Sequence, residues 1–166
     1  MEKRFKVLML NGSPRENGNI AIGFREMQKI FDELNVEYEC INLGKKDVRG
    51  CIACGTCGNT GKCVFNDVVN EISEEFEKAD GLVVGSPVYY GCANGTLVSA
   101  LQRVFYSSHF EKRMKVGASV ECARRSGCTA TFDELNKFFT ISNMPVATSQ
   151  YWNNIHGFSA EDAMKD

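Results

Sequence analysis

The sequence predicts an α/β fold, a doubly wound parallel sheet of five strands with helices on both faces. Three observations lead there. Strand-like and helix-like patterns alternate along the whole chain. The first strand, Val7-Leu8-Met9-Leu10, is an unbroken apolar run of the kind a strand buried on both faces needs. The second alternates instead, with Val36, Tyr38 and Cys40 set against Glu37 and Glu39, which is the pattern of a sheet edge.

The opening strand stops at Asn11-Gly12, and the stretch to Gly18 is rich in turn residues. Ile20, Phe24, Met27, Phe31 and Leu34 then recur at helical spacing. A loop between a strand's carboxyl end and a helix's amino end gathers free backbone N–H groups and the positive end of the helix dipole, so it suits an anion. Ser13, Asn17 and Asn19 add short donors, and Arg15 adds a planar cation matched to phosphate oxygens. The spacing is neither GxxxxGK[ST] nor GxGxxG, so on pattern alone an ordinary strand-to-helix turn fits as well.

Beyond the second strand, Gly44 to Asn66 breaks every periodicity and is long for a connection. Asp67 is placed to cap a helix that turns Val69, Ile72, Phe76 and Ala79 inward. Gly81 to Gly85 is the third strand, interrupted at Ser86-Pro87, and Leu97, Ala100, Leu101, Val104 and Phe105 mark the next helix. Val116 to Val120 is the fourth strand, followed by a polar loop from Glu121 to Gly127. Thr131-Phe132-Asp133-Glu134 reads as a capping box opening another helix, and Pro145 to Ser149 as the fifth strand. Ser159-Ala160-Glu161-Asp162 opens a last helix of about two turns. That is short cover for a doubly wound sheet, so a partner subunit or a longer natural sequence is expected over that face.

A chain of 166 residues is most economically one domain, residues 1–166. Its formal net charge of -2 and lack of any basic run give no reason to expect nucleic acid. No apolar stretch approaches about 18 residues, and MEKRFKVLML runs into Asn-Gly-Ser-Pro without a cleavage pattern, so neither membrane nor export is expected. The expected location is the cytoplasm. There, eight cysteines point to metal or redox work more than to structural disulfides.

Four of them, Cys51, Cys54, Cys57 and Cys63, form C-x2-C-x2-C-x5-C. Small neighbours let such a chain curl its sulfurs inward, as a [4Fe-4S] cluster requires. Zinc, or thiols that stay free or form disulfides, fit the same four residues. Cys40, Cys92, Cys122 and Cys128 are scattered and read as small buried residues, with Cys92 and Cys122 near a pocket. His109 and His156 have no metal spacing.

Asn11 to Asn19 resembles the phosphate loop of the flavodoxin-like NAD(P)H-dependent FMN reductases, including their iron-sulfur flavoprotein branch. The resemblance implies an FMN phosphate bound through Ser13, Arg15, Asn17 and Asn19. The next position, commonly threonine in such sequences, is Ile20. Ser86-Pro87-Val88-Tyr89-Tyr90-Gly91 resembles the segment lying against the isoalloxazine ring, which implies contacts from Pro87, Val88, Tyr89, Tyr90 and Gly91. The 121–127 loop matches a third ring-contacting segment less closely, through Ala123, Arg124 and Gly127.

The same resemblance extends over nearly the whole chain. It implies strand order 2-1-3-4-5 with a cysteine-rich insertion loop after strand 2. It also implies an FMN-dependent oxidoreductase that takes electrons from NAD(P)H, hands them to a small-molecule or redox-protein acceptor, and forms a homodimer or homotetramer. An electron carrier holding a [4Fe-4S] cluster on the four cysteines is the alternative, although similar cysteines also occur in that family without a cluster. A flavin-free interaction domain with a zinc knot is a third reading. No side-chain acid or base is expected, because the flavin carries the chemistry.

Overall fold

The computed structural model describes residues 4–166, so the first three residues of the MEKRFKVLML opening lie outside it. Strands β1 (Lys6–Asn11), β2 (Glu37–Asn42), β3 (Gly81–Pro87), β4 (Val116–Ala123) and β5 (Asn154–His156) form one parallel sheet in the order 2-1-3-4-5. Between and after them run helices α1 (Asn19–Glu33), α2 (Cys57–Thr60), α3 (Val68–Lys78), α4 (Gly95–Ser107), α5 (Cys128–Ile141) and α6 (Ala160–Ala163).

Side chains alternate across the sheet, and each parity meets its own layer. Leu8, Leu10, Leu82 and Val84 pack with Ile72 and Phe76 of α3, Leu97 and Leu101 of α4, and Leu135 and Phe139 of α5. Met9, Val83 and Val120 face the other way, onto Ile20 and Phe24 of α1. Beside α1, at the amino ends of the strands, the apolar face is open as a hollow of about 340 Å3 lined by Val7, Met27, Phe31, Val83 and Ala118. No helix among the described residues is long and apolar enough to cross a membrane.

Asp67 caps α3 as its sequence predicts, accepting from the Val69 N–H, and Ser159 and Asp162 close a capping box on α6. Four expectations need correction. The fifth strand is Asn154–His156, paired with Glu121–Ala123, whereas Pro145 to Ser149 contributes one bridge, Val146 beside Gly117. Tyr151 and Trp152 take positive φ of 59° and 70°, and Ser149 and Asn153 bond across the bend, so the chain swings out and pairs again only at Asn154.

Glu121, Cys122 and Ala123 therefore belong to β4 rather than to a loop. The Thr131 capping box does not form either. Gly127, with φ 97°, starts α5 four residues earlier, the Thr131 hydroxyl donates back to the Gly127 carbonyl, and Glu134 turns away to accept from the Ala93 N–H. On β2 it is Ile41 that is buried, followed by Leu43, and Cys40 is exposed.

Candidate functional site

Asn11 ends β1 and organises the loop after it. Its Oδ1 accepts the Ser13 N–H at 2.9 Å, and its Nδ2 donates to Asn42 Oδ1 at 3.0 Å. The Gly12 N–H donates to the Gly85 carbonyl at 2.8 Å, tying the loop to the end of β3 where the strand order reverses. Within the loop, the Arg15 N–H donates to Ser13 Oγ at 3.1 Å and the Gly18 N–H to the Arg15 carbonyl at 3.0 Å. Helix α1 begins without a side-chain cap, so its first-turn N–H groups face this loop unspent. The loop's rear wall is Gly44, where a Cβ would lie 2.2 Å from the backbone of Ser13 and Pro14.

Of the residues expected here, Ser13 is buried while Arg15 and Asn17 are exposed. The Asn17 side chain accepts from Arg25 at 3.4 Å. Asn19 points across the site, its Nδ2 donating to the Gly157 carbonyl at 2.8 Å and to Cys122 Sγ at 3.2 Å. Ile20 buries its side chain in the core beside Gly85 and leaves only its N–H at the loop.

The second loop leaves β3 at Pro87. The Val88 N–H donates to the Cys122 carbonyl at 2.8 Å, and Tyr89 and Cys92 exchange backbone bonds around a tight turn. Tyr90 and Gly91 both have positive φ there, 53° and 79°, as such a two-residue turn demands. Both tyrosines are exposed at the rim. Gly127 brings the third loop against the second, since a Cβ on it would lie 3.0 Å from Val88 and 3.2 Å from Gly91. The Ala123 carbonyl accepts the Gly157 N–H, and the Arg124 guanidinium sits 4.8 Å from the Phe158 ring centre. All three predicted loops thus meet at the carboxyl end of the sheet.

Beneath them lies Glu121, which sequence reasoning assigned to a loop. It is fully buried, and neither carboxylate oxygen has a partner. Burial pushes its carboxyl up to about 7, with the Ser119 side chain pulling weakly the other way. Burial, reinforced by the neighbouring Glu121 and Cys122, pushes the Cys128 thiol up to about 11.

A second site forms where Gly44 to Asn66 folds onto α4. Cys51, Cys54, Cys57 and Cys63 line one pocket together with Arg103 and Ser107. Positive φ at Ala53, Gly55 and Gly61 curls the chain around it. The Thr56 hydroxyl, then its backbone, hold the Cys54 thiol below its ordinary value. Asn70 clamps the backbone of Cys63, accepting its N–H at 2.9 Å and donating to its carbonyl at 3.1 Å. Among the described residues no three or more His, Cys, Asp or Glu side chains form a group able to hold a metal ion, and the enclosed space is about 20 Å3.

Arg103 was missed in the sequence. Its guanidinium is buried and gives two N–H groups to Cys63 Sγ, both at 3.2 Å, two to the Asp67 carboxylate at 2.7 and 2.9 Å, and one to the Arg49 carbonyl. Burial pulls this guanidinium down, but Asp67 and then Cys63 outweigh it and hold the group above its ordinary value. The available signal was an arginine set between Leu101 and Val104, with no acidic residue three or four positions away.

A parallel 2-1-3-4-5 sheet with an anion-suited loop and an open helix terminus at its switch point defines a flavodoxin-like protein. The chain belongs to the NADPH-dependent FMN reductase family, whose model matches residues 5–158, and is by class a flavin oxidoreductase. It is 36% identical over 144 residues to an iron-sulfur flavoprotein of Methanocaldococcus jannaschii, covering 85% of this chain and 75% of that one. It superposes on a flavodoxin from the domain Archaea with a TM-score of 0.64 at 14% identity, covering 97% of this chain and 90% of that one. The Flv1 flavodiiron core from Synechocystis sp. gives a TM-score of 0.65 at 15% identity, covering 97% of this chain and 33% of that one. At these identities the two structures speak for the fold alone.

Proposed function

We propose that the chain holds FMN across the carboxyl ends of β1, β3 and β4, takes electrons from NADH or NADPH, and passes them to a small-molecule or redox-protein acceptor. The observation that carries this is the uncapped amino end of α1 facing the Asn11–Asn19 loop at the switch point. Ser13, Arg15 and Asn17 would meet the phosphate with their side chains, while Asn19 and Ile20 would offer backbone N–H groups. The Asn19 carboxamide is already committed to Gly157 and Cys122. Pro87, Val88, Tyr89, Tyr90 and Gly91 on one loop, and Ala123, Arg124 and Gly127 on the other, border the ring.

When bound, FMN supplies the acceptance of a hydride and its release as electrons. The chain's own work is to neutralise the phosphate, exclude water from the ring, and hold Arg124 against Phe158 beside it. The test is a titration of the flavin-free protein with FMN, followed anaerobically by NADH or NADPH. Fluorescence quenching and then bleaching of the flavin band are expected. No quenching ends the reading, and binding without bleaching by either nicotinamide replaces the reductase with an electron carrier.

A second reading concerns the cysteines, which we assign to a [4Fe-4S] cluster held by Cys51, Cys54, Cys57 and Cys63. The donor set is all thiol, as such clusters prefer, and the buried Ser107 hydroxyl in the pocket wall has no partner. The exposed 51–56 segment has to move outward to admit the cluster, since the enclosed space is about 20 Å3. Iron and sulfide analysis after anaerobic reconstitution tests it, and less than one iron per chain rejects it. We further assign the protein to the cytoplasm, where its free thiols stay reduced. A homodimer or homotetramer would cover the hollow beside α1.

A further inference from the structure

We propose that Arg103 and Ser107, one turn apart on α4, are positioning residues that raise the reduction potential of the centre in the cysteine pocket. This rests on the cluster reading above. The burial of Arg103 needs explaining. Arg103 is 1% exposed, and a guanidinium in that position costs several kcal/mol unless its donors are matched. Asp67 alone would match two of them in a bidentate pair. The geometry does more than that, spending Nε and Nη2 on a single sulfur, Cys63 Sγ.

A neutral thiol is a weak acceptor, and two charged donors on one sulfur make sense for a sulfur that carries negative charge, as a metal-bound thiolate does. None of the other three cysteines meets a cation, and Cys54 has only the neutral Thr56 hydroxyl and backbone as donors. Cys51 Sγ accepts only the Ala53 N–H at 3.4 Å, and Cys51 and Cys54 are exposed. The pocket is therefore lopsided, with half-buried Cys63 under a cation, exposed Cys51 and Cys54 on a loop, and Cys57 at the start of α2.

Ser107 supplies the second observation. It is 2% exposed, its hydroxyl has no partner, and it lines the same pocket four residues beyond Arg103. An orphan hydroxyl is expensive in an apolar wall, whereas a sulfur in the pocket would accept its proton. Hydrogen bonds and positive charge at the sulfurs favour the more negative, reduced state of a cluster, so both residues push the potential upward. Asp67 works against them by neutralising part of the Arg103 charge.

The test uses the anaerobically reconstituted full chain and the variants R103K, S107A and D67N. Iron and sulfide content, the cluster's midpoint potential and the FMN potential are measured in each. R103K is expected to shift the cluster about tenfold toward the oxidised form at fixed potential, about 59 mV for a one-electron couple. S107A should shift it the same way by less, and D67N the opposite way, with the FMN potential unmoved in all three. If R103K does not fold, the opposed shifts of S107A and D67N carry the test. Full iron with unchanged cluster potentials overturns the inference and leaves the cluster reading standing, even where thermal stability drops. A wild-type chain that takes up no iron and sulfide overturns both.

Discussion

Each of the two sites buries one long side chain of the guanidinium or carboxyl kind, and they do it in opposite ways. In the cysteine pocket Arg103 is surrounded by acceptors, and the Asp67 carboxylate keeps it charged at any ordinary pH. Beneath the flavin loops Glu121 has no cation and no hydrogen-bond partner, so its carboxyl moves up to about 7 and favours the neutral form. The difference extends to the surroundings. The proposed flavin side is assembled from backbone amides at strand ends and a helix terminus, whereas the cysteine side is assembled from side chains. Helix α4 joins them, with the Asn94 N–H at its amino end donating to Ser86 at the end of β3, where the second loop leaves the strand, and Arg103 nine residues along, a span of about 14 Å. Charge is permanent at one end of that helix and adjustable at the other.

The largest expected effect breaks the paired charge. Arg103→Met leaves the Asp67 carboxylate without its cation and the pocket wall without its hydrogen bonds. Removing one partner of such a pair costs about 3 to 5 kcal/mol, and the lower end is expected because the Asp67 side chain is 23% exposed. Urea denaturation at pH 7 measures it, and a loss within about 0.5 kcal/mol would mean that the pair contributes no more than a surface ion pair.

The unpaired charge should give the opposite sign. Folded Glu121 keeps its proton to about pH 7, while in the unfolded chain it releases it near 4.5. Its contribution to stability is thus fully present below about pH 4.5 and is lost as pH rises through 7, by about 3 kcal/mol in total. Glu121→Gln keeps the shape without the charge, so it should stabilise the protein at pH 8 and flatten the decline between pH 5 and 8. Denaturation midpoints across that range check it. A wild-type profile that is flat there would show that the carboxyl finds a partner such as ordered water.

These two residues also mark where sequence reasoning runs out. The buried first strand, the turn-rich loop after it and the Asp67 cap were legible because each rests on local pattern, whether an apolar run, a turn cluster or a capping residue, whereas the sheet order and the ring-side loops came from the family resemblance. Glu121 was not legible, because a lone glutamate after an apolar run looks like the start of a loop. Its burial is fixed by Asn154, which pairs with it from far along the chain. The fifth strand failed for the same reason. Val146 and Ala147 look as strand-like as Ile155, and only the bend at Tyr151-Trp152 decides which stretch runs beside the end of β4. Arg103 meets Cys63 from 40 residues away, a contact that no spacing rule reports.

Backbone construction on the flavin side makes a sharper claim about glycine. Gly44→Ala would put a Cβ 2.2 Å from the Ser13–Pro14 backbone, and backbone cannot rotate aside as a flexible side chain can. The loop has to shift, at a cost of about 1 to 3 kcal/mol. FMN affinity should fall at least about tenfold, which corresponds to about 1.4 kcal/mol. Isothermal titration with FMN reads this directly. Unchanged affinity would mean that the loop's position is not what grips the phosphate.

The smallest effect is expected where a side-chain view would look first. Arg15 is exposed, so its charge acts on a phosphate through solvent, where such pairs contribute about 1 kcal/mol or less and are screened by salt. Arg15→Ala should therefore weaken FMN binding by no more than about fivefold in low salt, with the gap to wild type narrowing as salt is added, and should leave folding stability unchanged. The buried amides of the loop and the first turn of α1 carry the rest, and salt reaches them far less. If Arg15→Ala instead abolished binding, the flavin site would depend on one side chain as strongly as the cysteine pocket depends on Arg103, and the contrast between the two ends of α4 would collapse.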